Sequence, residues 1–256
     1  MKIALIQIPL VWEDPKSNRA YIEQKINTLE SDTDLVVLPE MFTTGFTMQP
    51  ERVAETMQGE TVVWMQSLAK AKNCAITGSL VIIEEGNFYN RLLFVFPSGE
   101  IHYYNKRHLF TLAGEDKSYT KGTQKLIIEY RGWKICPLIC YDLRFPALFE
   151  ALGRQQCDVI AIPAAFTVPT GAAHWHVLQR ARAIEASAFV VAAAQVGQHE
   201  DGRATYGHSL VIDPWGEVLT DMGGDAARVE CVELDLARLA EVRAQLPSLF
   251  NKRSIP

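Results

Sequence analysis

Apolar positions along this chain fall into short solid runs, with stretches of helical spacing between them. IALIQI (3–8) and DLVVLP (34–39) have no polar face, the pattern of strands covered on both sides. Asp14-Pro15 marks the start of a helix between them. From Glu60 to Lys72 the apolar residues Val63, Met65, Leu68 and Ala69 recur at helical spacing, and CAITGSLVI (74–82) returns to strand character. FYNRLLFVF and EIHYYNK flank the turn Pro97-Ser98-Gly99 as an antiparallel hairpin, and KLIIEY joins WKICPLIC across Arg131-Gly132 as a second one.

The rhythm then repeats. Ala147 to Gln156 is expected to be helical, DVIAIP (158–163) a strand, and His174 to Ser187 helical. AFVVAAAQ, YGHSLVID, EVLTDM and ARVECVELD read as strands, with a turn at Pro214-Trp215-Gly216, and a last helix starts at Asp235. Hairpins mixed with strand–helix–strand units predict a mixed sheet system with helices outside, a layered α/β sandwich. No linker, low-complexity tract or repeat interrupts it, so one domain over 1–256 is expected.

Composition narrows the function classes. At 256 residues, 48% apolar and 21% charged, the chain can bury a core without disulfides or metal. A net charge of −5 argues against nucleic acid or an anionic membrane as partner, and no apolar run approaches the ~20 residues of a membrane span. MKIALIQIPLVWEDP reads as a first strand rather than a signal peptide. Five cysteines, an odd and scattered set at 74, 136, 140, 157 and 231, fit a reducing cytoplasm.

PLICYDLRFP (137–146) is the stretch that departs from a structural pattern, because an apolar run ends on a thiol crowded by Tyr, Asp and Arg. In an extended strand Cys136 and Cys140 share a face roughly 13 Å apart, too far for a disulfide. No zinc spacing occurs nearby, and the rings of His174 and His176 leave a helix on different sides. Cys74, Cys136, Cys157 and Cys231 are expected to be buried, inert thiols. Cys140 differs by standing at the carboxyl end of a strand, where α/β sheets present ligands and where free backbone N–H groups favour a thiolate and an oxyanion. Two other strand ends carry unusual ionisable residues: Glu40 in LVVLPEMF and Lys106 in HYYNKRHLF. Alone, Glu40 reads as a solvated turn carboxylate and Lys106 as an exposed edge-strand lysine. Together with Cys140 they make a constellation.

LPEMF around Glu40, YNKRHLF around Lys106 and CYDLRFP around Cys140 resemble, in order and spacing, the nitrilase or carbon–nitrogen hydrolase superfamily. PAAF (163–166), HWHVLQRARAIEA (174–186) and YGHSLVIDPWGEV (206–218) extend the resemblance over nearly the whole chain. It implies an αββα sandwich that pairs into a homodimer, a small-molecule amide substrate, and no cofactor or metal. It implies Glu40 as base, Lys106 as ammonium and Cys140 as nucleophile, with Glu115 in TLAGEDKSY as an assisting carboxylate and the Tyr141 N–H as oxyanion donor. Asp142 and Arg144 are expected to pair and fix the turn, Arg180, Arg182 and Glu185 to form a helix ion-pair set, and His108 to face away from the site. Residues 1–140 are most similar to bacterial omega-amidases, which release ammonia from the distal amide of 2-oxo acids such as 2-oxoglutaramate. Residues 158–246 look more like deaminated-glutathione amidases. The change falls near CYDLRFP, as in an intermediate branch or a recombinant joined at the shared motif; the omega-amidase reading is favoured because the catalytic set lies in that half.

Overall fold

The computed structural model describes residues 1–198 and 202–251. Strand β1 (Lys2–Gln7), helix α1 (Pro15–Asn27), β2 (Leu35–Val37), α2 (Glu60–Lys72) and β3 (Ala75–Glu84) come first, then the hairpin β4 (Asn87–Val95) and β5 (Ile101–Asn105). A single turn of helix, α3 (Glu115–Ser118), leads to the hairpin β6 (Ile128–Tyr130) and β7 (Trp133–Pro137). Helix α4 (Pro146–Arg154), β8 (Val159–Ala164), the short α5 (Val168–Thr170), α6 (His176–Ala186) and β9 (Phe189–Ala194) follow. The chain closes with β10 (Val196–Gln198), β11 (Ala204–Tyr206), β12 (Leu210–Ile212), β13 (Val218–Asp221), β14 (Arg228–Glu233), α7 (Leu236–Gln245) and α8 (Ser248–Asn251).

These strands build two six-stranded sheets, ordered β14-β1-β2-β3-β4-β5 and β13-β12-β9-β8-β7-β6. The solid apolar runs find their explanation in the layers. Alternate residues of β1 part company: Ile3 and Leu5 pack with Val159, Ala161 and Val191 between the sheets, while Ala4 and Ile6 pack with Ile22, Ile26 and Met65 under α1 and α2. On the far side Ile160, Ile162 and Val190 of the second sheet meet Leu148, Phe149, Ala183 and Ala186 of α4 and α6. The central strands of both sheets are covered on each face, so the layers run helix, sheet, sheet, helix, while the edge strands β13 and β14 stay largely exposed. The expected αββα sandwich is the observed fold.

Topology aims several strand ends at one edge. β1, β2 and β3 are mutually parallel, as are β7, β8 and β9. β4 runs antiparallel to β3 and β5 antiparallel to β4, so β5 ends at the same edge as β2. Among the described residues no helix is long and apolar enough to cross a membrane.

Three expectations are corrected here. Cys136 and Cys157 are not free thiols but a disulfide, with Cα atoms 6.2 Å apart. The strand–helix–strand crossover β7–α4–β8 carries Cys157 back beside β7, and spacing along one strand could not reveal a partner 21 residues on. Cys231 is exposed, because β14 is an edge strand. Of the ion-pair set on α6, Arg182 does pair with Glu185 at 2.7 Å, whereas Arg180 donates to the Gly216 carbonyl at 2.8 Å.

Candidate active site

Glu40 follows β2 and Pro39, and its placement depends on two local features. Gly78 of β3 lets the loop close in, since an added Cβ would lie 2.8 Å from Leu38 Cβ and 2.8 Å from a ring carbon of Phe42. The Gln195 side-chain amide, at the end of β9, donates to the Glu40 carbonyl at 2.5 Å, fastening one sheet to the other. Lys106 follows β5, and its N–H continues the ladder to the Asn90 carbonyl at 2.9 Å. Glu115 opens α3 after Gly114, whose φ of 79° is readily adopted only without a side chain.

These three side chains are buried and in contact. Lys106 Nζ lies 2.7 Å from Glu40 Oε1, 3.0 Å from Glu115 Oε1 and 2.8 Å from Glu115 Oε2. Asn90 Nδ2 donates to both carboxylates, at 2.8 Å to Glu40 and 3.0 Å to Glu115, and the Phe110 N–H donates to Glu115 Oε2 at 2.6 Å. Glu40 Oε2 has no hydrogen-bond partner among the described residues. Burial drives the Glu40 carboxyl above its ordinary value, the Lys106 ammonium pulls it back, and Glu115 pushes it up again. Burial by itself would lower the Lys106 ammonium, but the adjoining Glu115 and Glu40 carboxylates outweigh it and hold it charged.

Cys140 ends the run after β7 and begins a short 3₁₀ turn, Cys140–Arg144, with a φ of 42°. A non-glycine residue in that region carries strain, and such positions cluster at functional sites. Asp142 holds the turn. Its carboxylate accepts from Tyr104 Oη at 2.8 Å, the Ile139 N–H at 3.0 Å and the His108 N–H at 3.0 Å, and meets His108 Nδ1 at 2.7 Å. Asp142 is therefore structural, as expected, but its partners come from the Lys106 segment and not from Arg144. His108 faces away from the cleft, stacked on Phe145 at 3.7 Å.

The Cys140 sulfur lies close enough to the Glu40 carboxylate and the Ala165 N–H for both to act on it electrostatically. Burial and then the Glu40 charge raise it well above the ordinary thiol value, against the smaller pull of Lys106 and that N–H. The sulfur therefore rests as a thiol beside a buried carboxylate. No backbone carbonyl among the described residues accepts the Tyr141 N–H.

Glu40, Lys106 and Cys140 line one small cleft with Phe46, Phe110, Tyr141, Phe166, Thr167, Thr170 and Arg144. Glu115 sits behind Lys106, outside the lining. Geometry thus unites the residues expected from the sequence, adds Asn90, which it did not single out, and puts Arg144 in the cleft rather than against Asp142. Asn90 was legible as a polar residue interrupting FYNRLLFVF. Arg144 was expected to pair with Asp142 and does not. Its Nη1 lies 3.0 Å from His174 Nδ1 and its guanidinium 5.1 Å over the Phe166 ring, and among the described residues it meets no carboxylate.

Carbon-nitrogen hydrolase is the family model that matches residues 2–244. The chain belongs to the carbon–nitrogen hydrolase family. This carbon–nitrogen hydrolase is 38% identical over 248 residues to Omega-amidase YafV of Escherichia coli (strain K12), covering 97% of this chain and 95% of the relative. It is 38% identical over 234 residues to the deaminated glutathione amidase of Synechocystis sp., covering 86% of each. Its fold superimposes with a TM-score of 0.96 and 36% identity on XC1258 from Xanthomonas campestris, a CN-hydrolase superfamily protein with an arsenic adduct in the active site, over 100% of this chain and 98% of that one. The protein is a hydrolytic amidase of the nitrilase superfamily.

Proposed function

We propose that the enzyme is an omega-amidase, releasing ammonia from the distal amide of small 2-oxo acids of the 2-oxoglutaramate type. The observation that carries this reading is Arg144, an arginine free of carboxylate partners among the described residues, in the same small cleft as Cys140, Glu40 and Lys106. A planar guanidinium grips a carboxylate bidentately. A substrate with a carboxylate at one end and an amide at the other would span Arg144 and Cys140.

Chemistry follows from the geometry. Glu40 takes the thiol proton as the Cys140 sulfur bonds to the amide carbon. The oxyanion is held by the Tyr141 N–H and by Lys106, which shares one of its three carboxylate contacts to do so. Each such donor contributes a factor of about 10²–10³. Glu40 returns the proton to nitrogen, the C–N bond breaks, and ammonia leaves a thioester on Cys140. A water loses its proton to Glu40, attacks the thioester, and the thiol reforms. Glu115 acts through Lys106 as a positioning residue.

Ammonia release on 2-oxoglutaramate, deaminated glutathione, glutamine and a simple nitrile tests the assignment. Activity is expected to be highest on 2-oxoglutaramate and absent on the nitrile, and Arg144→Met should raise its KM about 10–100-fold, the loss of a charged hydrogen bond of roughly 1.5–3 kcal/mol. Preference for deaminated glutathione, with Arg144→Met without effect, would overturn it in favour of the runner-up, deaminated glutathione amidase, which the similarity to the Synechocystis enzyme supports.

We further propose a homodimer in the cytoplasm. Val177 and Ile184 on α6 and Trp215 and Leu219 nearby expose apolar surface that a second copy would cover. Light scattering checks the mass. Counting free thiols in material quenched at lysis checks the compartment, because a Cys136–Cys157 disulfide is rare in a reducing one.

A further inference from the structure

We infer that His176, His208 and Asp221 form a binding site for one divalent transition-metal ion of the zinc class, apart from the active-site cleft. The three residues come from distant parts of the chain: the first residue of α6, the turn between β11 and β12, and the last residue of β13. Their ligand atoms all lie within 4.8 Å of one another. Asp221 Oδ2 stands 3.0 Å from His176 Nε2 and 3.2 Å from His208 Nδ1. A tetrahedral ion with bonds of ~2.0–2.1 Å sets its ligand atoms about 3.3 Å apart, so the shared oxygen already has the spacing of a coordination edge to each imidazole.

The groups are held before any ion arrives. His208 stacks on Tyr206 with centroids 4.3 Å apart, and the His176 ring stands edge-on to both, at 5.0 Å from His208 and 6.0 Å from Tyr206. The Gly223 N–H donates to Asp221 Oδ1 at 2.9 Å, and Trp175 Nε1 donates to the His208 carbonyl at 2.7 Å. Outer hydrogen bonds of this kind orient metal ligands. The side chains of His176, His208 and Asp221 are 32%, 25% and 34% exposed, so an ion can reach them from solvent.

Donor chemistry selects the ion. Two imidazoles and one carboxylate suit zinc, nickel, cobalt or copper, whereas calcium and magnesium take oxygen ligands. Binding replaces the two histidine–carboxylate hydrogen bonds, each ring proton passing to the other imidazole nitrogen, and leaves a net single positive charge with room for water at a fourth position. None of the three lines the cleft. They stand behind its wall, however: Trp175 packs on Phe166 with centroids 4.7 Å apart, and the Tyr206 N–H donates to the Phe166 carbonyl at 2.7 Å. An ion here would clip the start of α6 to the β12–β13 hairpin beneath that wall.

The test titrates zinc into the chelator-stripped full-length protein and reads stoichiometry and thermal midpoint. One zinc per chain is expected, with a raised midpoint. Cys140→Ala should keep that zinc, while His176→Ala and His208→Gln should each weaken it at least tenfold with the metal-free midpoint still cooperative. Zinc lost from Cys140→Ala, or bound equally well by both histidine variants, would overturn the inference. The amidase assignment does not depend on either result.

Discussion

The two sheets contribute unlike things to the one cleft. From the first sheet come Glu40, Lys106 and Asn90, all 0–1% exposed and cross-bonded, with Glu115 from the loop beyond β5 completing the set. From the second come Cys140, in a strained turn, and the groups around it: the Tyr141 N–H, the Phe166 ring and an Arg144 that no carboxylate among the described residues neutralises. One side is electrostatically closed and rigid, a pre-set base and ammonium. The other side is left open for a substrate to complete. A division follows in which changes on the first side act on turnover and changes to the open wall act on substrate affinity.

The largest expected effect comes from Glu40→Gln, which removes the base for both half-reactions; ammonia release should fall by about 10⁴-fold or more. A fall of less than tenfold, measured with Cys140 intact by mass spectrometry, would break the comparison at its centre. Lys106→Met removes an oxyanion donor and the opposing charge beside Glu40, so kcat should drop about 10²–10³-fold with KM little moved. A pure KM effect would place Lys106 with the wall instead.

The acid limb of kcat/KM sharpens the same contrast. The base must be ionised, and burial raises the Glu40 carboxyl, so activity should be lost as pH falls through a value above the usual ~4.3 of a glutamate. Lys106→Met should move that limb higher still, because the lysine's pull is the main force opposing burial. A limb at or below ~4.3 would show that the carboxylate is better solvated than its surroundings imply.

Smallest is a stability effect confined to the second sheet. Cys136→Ser opens the disulfide between β7 and the start of β8, and should lower stability by about 2–4 kcal/mol while kcat stays near wild type. Calorimetry on the parent protein should give one transition, because Ile3, Leu5 and Leu35 of the first sheet interlock with Val159, Ala161 and Val191 of the second at 0% exposure. Two transitions would favour the recombinant origin suggested by the change of wording near CYDLRFP.

Periodicity and local motif determined much of this protein before any fold was considered. Unbroken apolar strands demand covering on both faces, which requires layers, and Glu40, Lys106, Cys140 and Glu115 each stand at a strand end or loop where buried packing gives no reason for a charge or thiol. Tertiary structure alone decided which residues meet across long separations. Crossover topology paired Cys136 with Cys157, sheet packing turned Arg144 away from Asp142 into the cleft, and a helix start, a turn and a strand end brought His176, His208 and Asp221 together. Sequence pattern records what each residue needs from its near neighbours, in period and polarity. Contacts between distant segments depend on how whole layers stack, which no local window contains.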